Sequence, residues 1–319
     1  MDATHVTPGA PTPEAQPVTT CYRHPSRESY IRCTRCERFI CPACMLDAPI
    51  GHQCPECVKE GHRSIRQART VFGGKLIGTP FLTYLLIVVN VLVYVLELVR
   101  PGIVDRFDSL GQGVTGPDGL RYVVEGGLLP PGFHEVGIAH GEWYRLITSG
   151  FLHMPATQGQ FGILHILMNM YSLWLFGQVV EQQLGRVRML ALYLVGLLGG
   201  SVLGYLIAPG EAAVGASGAI FGLVATYFLM TRKMHHDPLG GGRQLVGAVI
   251  WLVASAGFTF WQGHLGGLLA GFAAGSVLVF APRKGRVLVQ TAGVLAVLGL
   301  LTAMVFVQTA DLAGRSLWG

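Results

Sequence analysis

The chain has 319 residues, of which 51% are hydrophobic and only 13% charged, with 44 glycines. A mean hydropathy of +0.47 excludes an ordinary soluble domain and, with the long apolar runs described below, indicates a membrane protein. The formal net charge of +5 says little until the charges are placed along the chain.

Residues 1–20 are rich in Pro, Thr and Ala and lack a continuous apolar core. They are expected to form a disordered tail and not a secretory signal, so the first apolar run has to act as its own signal anchor.

All seven cysteines fall between residues 21 and 57, within an expected small domain at 21–60. They read Cys21-x-x-His24, Cys33-x-x-Cys36, Cys41-x-x-Cys44 and Cys54-x-x-Cys57. Four such pairs supply eight soft or borderline ligands, which matches two tetrahedral Zn2+ sites. An odd cysteine count and a cytoplasmic placement argue against disulfides. So short a segment, poor in large apolar residues, needs the metal to fold. Cross-braced pairing would join Cys21, His24, Cys41 and Cys44 at one ion and Cys33, Cys36, Cys54 and Cys57 at the other. Sequential pairing also fits the spacing, and His52 is a spare ligand. A closed ligand set leaves no catalytic position, so this region reads as a structural or docking module for a cytoplasmic protein partner. Its arginines (Arg23, Arg27, Arg32, Arg35 and Arg38) read as solvated surface.

A basic linker at 61–78 leads into seven apolar runs, at roughly 80–99, 162–180, 188–208, 215–231, 244–260, 262–281 and 287–308. A bilayer core takes about 20 apolar residues per helix. Arg63, Arg66, Arg69, Lys75, Arg186, Arg188, Arg232, Lys233, Arg243, Arg283, Lys284 and Arg286 lie in one set of alternating connections. The other set holds Arg100, Arg106, Arg121, Arg145 and Arg315, which is 12 against 5. The positive-inside rule puts the N-terminus in the cytoplasm and the C-terminus outside. Because the charges alternate with the spans, they read as a topology signal and not as a nucleic-acid or lipid-binding basic patch.

Ionisable groups inside spans are costly and rarely accidental. His165 and Asn169 in HILMN are four apart and share one helical face. His264 opens GHLGGLLAGFAAG, where Gly263, Gly267, Gly271 and Gly275 form a ladder that lets another helix approach closely. Gly218-x-x-x-Gly222, beginning at Ser217, offers a matching surface. Under the seven-span threading Ser217, His264, His165 and Asn169 all lie near the outer face. A serine hydroxyl is a weak nucleophile unless a base removes its proton, and an imidazole can do so. A tetrahedral oxyanion needs preorganised donors, which Asn169, His165 and the Ser217 backbone N–H at a helix start can supply. No carboxylate in the core spans is well placed to orient His264, so a Ser–His dyad fits better than a triad. Singly, each residue reads as packing or structural hydrogen bonding; only the constellation points to chemistry.

At these residues the sequence resembles a rhomboid intramembrane serine protease. The matches are GASG from Gly215 around Ser217, GHLGG around His264, HILMN, and EWYRLITSGFLH with Trp143 and Arg145. Glu181 in GQVVEQQLG resembles the family's structural glutamate. The resemblance covers roughly residues 78–282, and the N-terminus resembles a B-box-like zinc-finger extension of some actinobacterial members. It implies an all-α polytopic protein with a six-helix core at 79–282, an added seventh helix in 283–319, and a loop from Pro101 to Gly141 lying partly in the outer leaflet. It also implies a bacterial plasma membrane protein that cuts single-span membrane proteins in or near their transmembrane segments. Catalysis would fall to Ser217 and His264, with Asn169, His165 and Gly215 at the oxyanion site. His153 is separated from His165 by an apparent insertion, MPATQGQFGIL, and is given no role. Two other readings are a non-proteolytic client-binding protein, which loss of the serine or histidine would favour, and a small transporter, which an internal repeat would favour.

Overall fold

The computed structural model describes residues 18–64, 68–122, 129–155 and 162–314. The chain divides into two compact units, residues 1–67 and 68–319.

In the first unit the expected tail falls at residues 1–17 outside the described residues. Ordered chain is already pairing at Thr20. Strands β1 (Thr20–Cys21) and β2 (His24–Glu28) pair antiparallel, as do β3 (Leu46–Asp47) and β4 (His52–Gln53). Helix α1 (Pro55–Ser64) follows, with Glu56 in its first turn and His62 and Arg63 in its last, each matching the helix dipole. Six cysteines and Ile40 are the buried residues of this unit's core, so the sulfur ligands themselves occupy the place of a hydrophobic centre.

The second unit is helical. A turn closed by an antiparallel bridge between Arg69 and Lys75 precedes α2 (Phe81–Val99) and the short α3 (Gly102–Phe107). Strands β5 (Gly113–Thr115), β6 (Arg121–Tyr122) and β7 (His134–Val136) form a three-stranded sheet in the order β6-β5-β7. These strands lie in the loop from Pro101 to Gly141, of which residues 123–128 fall outside the described residues. After α4 (Arg145–Thr148) come α5 (Gly162–Leu184), α6 (Arg186–Ile207), α7 (Ser217–Met234), α8 (Gly241–Ala254), α9 (Trp261–Phe280) and α10 (Arg286–Gly314). Among the described residues, five helices are long and apolar enough to cross a membrane: α2, α5, α6, α9 and α10. The chain is a helical, multi-span membrane protein. The two remaining runs differ from expectation. Helix α7 has 18 residues and carries Arg232 and Lys233 in its last turn. The run at 244–260 becomes a helix of only 14 residues, because the chain turns at Ser255, whose carbonyl accepts from Thr259 Oγ1 at 2.9 Å.

Helices α6, α7 and α9 make the centre of the bundle, and glycine is what lets them meet. A methyl group on Gly267 would overlap the backbone of Gly218, and one on Gly271 the backbone of Gly222. The two ladders read from the sequence are therefore in direct backbone contact, the arrangement by which helices associate without a hydrophobic driving force. Helix α2 begins at Pro80, which has no side chain able to cap it. Glu181, fully buried on α5, supplies the cap: its carboxylate accepts from Leu82 N at 3.0 Å, Thr83 N at 2.7 Å and Thr83 Oγ1 at 2.8 Å. A carboxylate at a helix N-terminus satisfies free N–H groups and complements the dipole.

Arg145 staples the long loop. It is buried, donates Nε to Glu142 at 2.7 Å and Nη1 to Asp108 at 2.8 Å and to the Asp105 carbonyl at 2.9 Å. Arg121 takes the other Asp108 oxygen at 2.6 Å. Trp143 stands beside it with its ring edge-on to Phe306 of α10 at 5.2 Å.

Candidate active site and metal centres

Ser217 is the first residue of α7 and His264 lies in the first turn of α9. Both helices run in the same direction through the bundle, so both side chains arrive at one end. His165 lies in the first turn of α5, at that same end. Ser217, His264, His165, Asn169 and Gly215 all line one cavity of about 960 Å³.

Gly215 has φ +134°, a backbone that side chains rarely adopt. A methyl there would lie 2.9 Å from His165 Nε2 and 3.7 Å from Ser217 Oγ. The glycine thus lets the imidazole and the hydroxyl approach one spot. Its N–H is anchored to the Ser149 carbonyl at 3.0 Å. The N-cap of α7, Ala216, offers no side-chain hydrogen bond, so the first amides of the helix, including that of Ser217, are not capped by a side chain.

Met154 N–H donates to His165 Nδ1 at 3.2 Å. A nitrogen that accepts carries no proton in the neutral ring, so Nε2 bears it. That Nε2–H is the atom next to Gly215. His165 is thereby set as a donor toward the cavity. Asn169 is arranged differently: its Nδ2 donates to the His165 carbonyl at 2.8 Å, one turn back on its own helix.

His264 stacks flat on Phe221, ring centroids 4.6 Å apart and planes 7° from parallel. Phe221 is one turn along α7 from Ser217. His264 Nδ1 is buried without a hydrogen-bond partner, so among the described residues no carboxylate orients the ring, and the aromatic face does so instead. No hydrogen bond joins Ser217 Oγ to His264 among the described residues.

His153 is fully buried, its ring 5.3 Å from that of His165. Its backbone N–H donates to both oxygens of Glu97 on α2, at 3.1 and 3.2 Å, while its ring nitrogens have no partner. Glu97, Phe221 and the Met154 amide escaped the sequence reading. Only Met154 left a trace there, as the first residue of the apparent insertion. The segment 156–161 of the apparent insertion lies outside the described residues.

In the first unit, Cys21, His24, Cys41 and Cys44 converge, and so do Cys33, Cys36, Cys54 and Cys57; within each set the ligand atoms all lie within 4.8 Å of one another. This is the cross-braced pairing. None of the seven cysteines forms a disulfide. His24 Nδ1 lies 3.4 Å from Cys41 and Cys44 Sγ, and Cys36 and Cys54 Sγ are 3.8 Å apart. Two sulfurs on a tetrahedron with bonds of about 2.3 Å stand roughly 3.8 Å apart, so the donors fit such an ion. Burial pushes the Cys44 thiol up to about 11 and Cys57 up to about 12. At Cys21 burial is outweighed by the Cys41 and Arg23 N–H groups, which bring it down to about 6. Both tetrads could hold a metal ion. His52 belongs to neither and lies 3.3 Å from Asp47.

Residues 140–281 match the family profile of the rhomboid domain. The chain is 31% identical over 210 residues to rhomboid protease GluP of Bacillus subtilis, covering 63% of this chain and 35% of that protein. It is 35% identical over 150 residues to RHOMBOID-like protein 6, mitochondrial, of Arabidopsis thaliana (45% of this chain, 46% of that one). It is 37% identical over 157 residues to RHOMBOID-like protein 5 of the same plant (47% and 48%). The matched stretches thus span about a third to a half of the length of these relatives. The matched segment, which is what this chain shares with rhomboid proteases, contains Ser217, His264, His165, Asn169 and the glycine ladders that pack α7 on α9.

Proposed function

We propose that the protein is an intramembrane serine endopeptidase that cuts single-span membrane proteins with a Ser217–His264 dyad. The observation that carries this reading is the convergence of Ser217, His264 and His165 on one cavity at one end of the bundle, with His165 Nε2 turned toward Gly215. Ser217 Oγ attacks the carbonyl carbon of the scissile bond while its proton passes to the His264 imidazole. The tetrahedral oxyanion accepts from His165 Nε2–H and the Ser217 amide, with Asn169 able to join by leaving its helical carbonyl. Collapse expels the amine, which takes the proton from His264. Water then attacks the acyl-enzyme by the same route in reverse, returning Ser217 and releasing the acid. An unwound substrate segment suits this site, because a hydrogen-bonded helix shields its carbonyls.

The six helices α2, α5, α6, α7, α8 and α9 serve as the rhomboid core at 79–282, and α10 is an addition to it. The tetrads bind two structural zinc ions, one through Cys21, His24, Cys41 and Cys44 and one through Cys33, Cys36, Cys54 and Cys57, making a B-box-like finger that docks a cytoplasmic protein. The count of basic residues supports a cytoplasmic N-terminus and an active site near the outer face, and the similarity to rhomboid proteases supports a plasma-membrane protein.

The test is cleavage of a fluorescent single-span substrate in proteoliposomes by the wild type, Ser217→Ala and His264→Ala. Both variants should be folded and inactive. Turnover persisting in purified Ser217→Ala would sink the assignment.

A further inference from the structure

At the end of the bundle opposite the active site, cations gather without anions to balance them. Arg69 Nη1 donates to the Gly73 carbonyl at 3.2 Å. A methyl on the same glycine would lie 3.1 Å from Arg286 Nη1 and 3.7 Å from Arg188 Nη2. Three guanidinium groups from the 69–75 turn, α6 and α10 therefore surround one glycine. The backbone of Lys75 bridges to that of Arg69 across the turn, which puts Lys75 opposite Arg69 in register. Lys233 of α7 reaches the Val279 carbonyl at 2.5 Å and lies 5.9 Å from the ring of Phe72, the residue before Gly73. Arg188 is held in place by Gln290 Oε1 at 2.6 Å, and Gln290 is itself buried and fastened to the Leu278 carbonyl at 2.7 Å.

Among the described residues none of these five cations forms an ion pair with a carboxylate. Glu181, at the end of α5, is committed to the start of α2 and to Arg186 at 3.6 Å. Like charges brought this close repel, and the fold holds them there with neutral partners. A tetrahedral phosphate oxyanion relieves the repulsion and fits the guanidinium fork, which bonds phosphate bidentately. The depth of the cluster selects the source. It lies where α5, α7 and α9 end and α6 and α10 begin, which for membrane-crossing helices is the level of the lipid headgroups. Exposed Phe280, Val287 and Leu288 flank it as a surface for acyl chains.

We propose that Arg69, Lys75, Arg188, Lys233 and Arg286 form a binding site for the phosphate of an anionic membrane lipid. Part of the basic excess in these connections then serves ligand binding as well as orientation in the membrane. The site is independent of the proteolytic assignment.

The experiment is native mass spectrometry of the full chain in detergent with equimolar dioleoylphosphatidylglycerol and dioleoylphosphatidylcholine. The wild type should retain the anionic lipid preferentially. Lys75→Gln/Arg286→Gln removes two cations whose side chains make no hydrogen bond among the described residues. At about 1 kcal/mol per basic residue near a lipid surface, it should weaken that retention roughly 30-fold. Its thermal midpoint checks that the fold is intact. Arg106→Gln, at the other end of the bundle, should leave retention unchanged. Equal retention of both lipids, undiminished retention in the double variant, or an equal loss in Arg106→Gln would each overturn the proposal. Displacement of the lipid by millimolar inorganic phosphate would overturn the lipid assignment in favour of a soluble phosphate.

Discussion

The Met154 N–H that meets His165 Nδ1 decides which proton the imidazole has to offer, and so whether it can serve an oxyanion at all. Removing one such donor typically costs about 10² to 10³ in kcat. His165→Ala is expected to fall in that range with KM little changed, read from substrate titrations in proteoliposomes. A raised KM at constant kcat would instead make His165 a ground-state binder. Phe221 acts through His264 by stacking on it. An aromatic pair of this kind is worth about 0.5–1.5 kcal/mol, so Phe221→Ala should lower kcat by roughly 2- to 10-fold, and Phe221→Tyr should restore it. If Tyr fails to restore what Ala loses, ring stacking is not what positions the base.

Among elements, the α7–α9 contact is the most exacting, because backbone meets backbone at Gly267 and Gly271. A leucine at either position has no room to turn away, and overpacking of a tight interface costs about 1–3 kcal/mol or more. Gly267→Leu and Gly271→Leu should therefore reduce folded yield, measured by size-exclusion recovery and protease resistance. Normal recovery with full cleavage would undo the packing argument. The long loop depends on Asp108, which is buried between Arg121 and Arg145. Breaking a buried pair by neutralising one member costs about 3–5 kcal/mol. Asp108→Asn should lower the thermal midpoint markedly, while Asp118→Asn, in the exposed turn between β5 and β6, should scarcely move it.

For the molecule as a whole, the two units make separate predictions. Residues 18–64 have little apolar core beyond the ligands, so chelation of zinc should unfold this unit while the membrane unit still cleaves a simple substrate. Circular dichroism and proteolysis would follow the first, and fluorescence the second. Loss of turnover on chelation would show that the modules are coupled. Metal affinity should rise with pH. The Cys44 and Cys57 thiols stand near 11 and 12 without metal and must release protons to bind. Lowering the pH therefore favours the protonated, metal-free form, and a competition titration with a zinc indicator would measure the slope.

The site was legible where chemistry follows from residue type and spacing. Ser217, His264, His165 and Asn169 stood out because polar groups in apolar runs are costly, and the ladders at Gly218/Gly222 and Gly267/Gly271 told which helices meet. Glu181 was recognisable by its surroundings, but its partner, the uncapped start of α2 about a hundred residues away, was not. The hairpin sheet in the long loop was missed because its strands are two or three residues long, too short to show an alternation. The 14-residue helix at 241–254 was overextended because hydropathy continues past the turn at Ser255.

By itself the sequence determined the apolar runs, the eight ligands of the metal tetrads and the polar residues of the bundle, since each is a local matter of composition and period. Only the tertiary structure decided which cysteines share a cluster, which nitrogen of His165 faces the cavity, that an aromatic ring and not a carboxylate lies against His264, and that basic residues scattered from 69 to 286 converge on one glycine. These are relations between side chains far apart in the chain, fixed by how closely helices pack, and hydropathy and spacing carry no record of them.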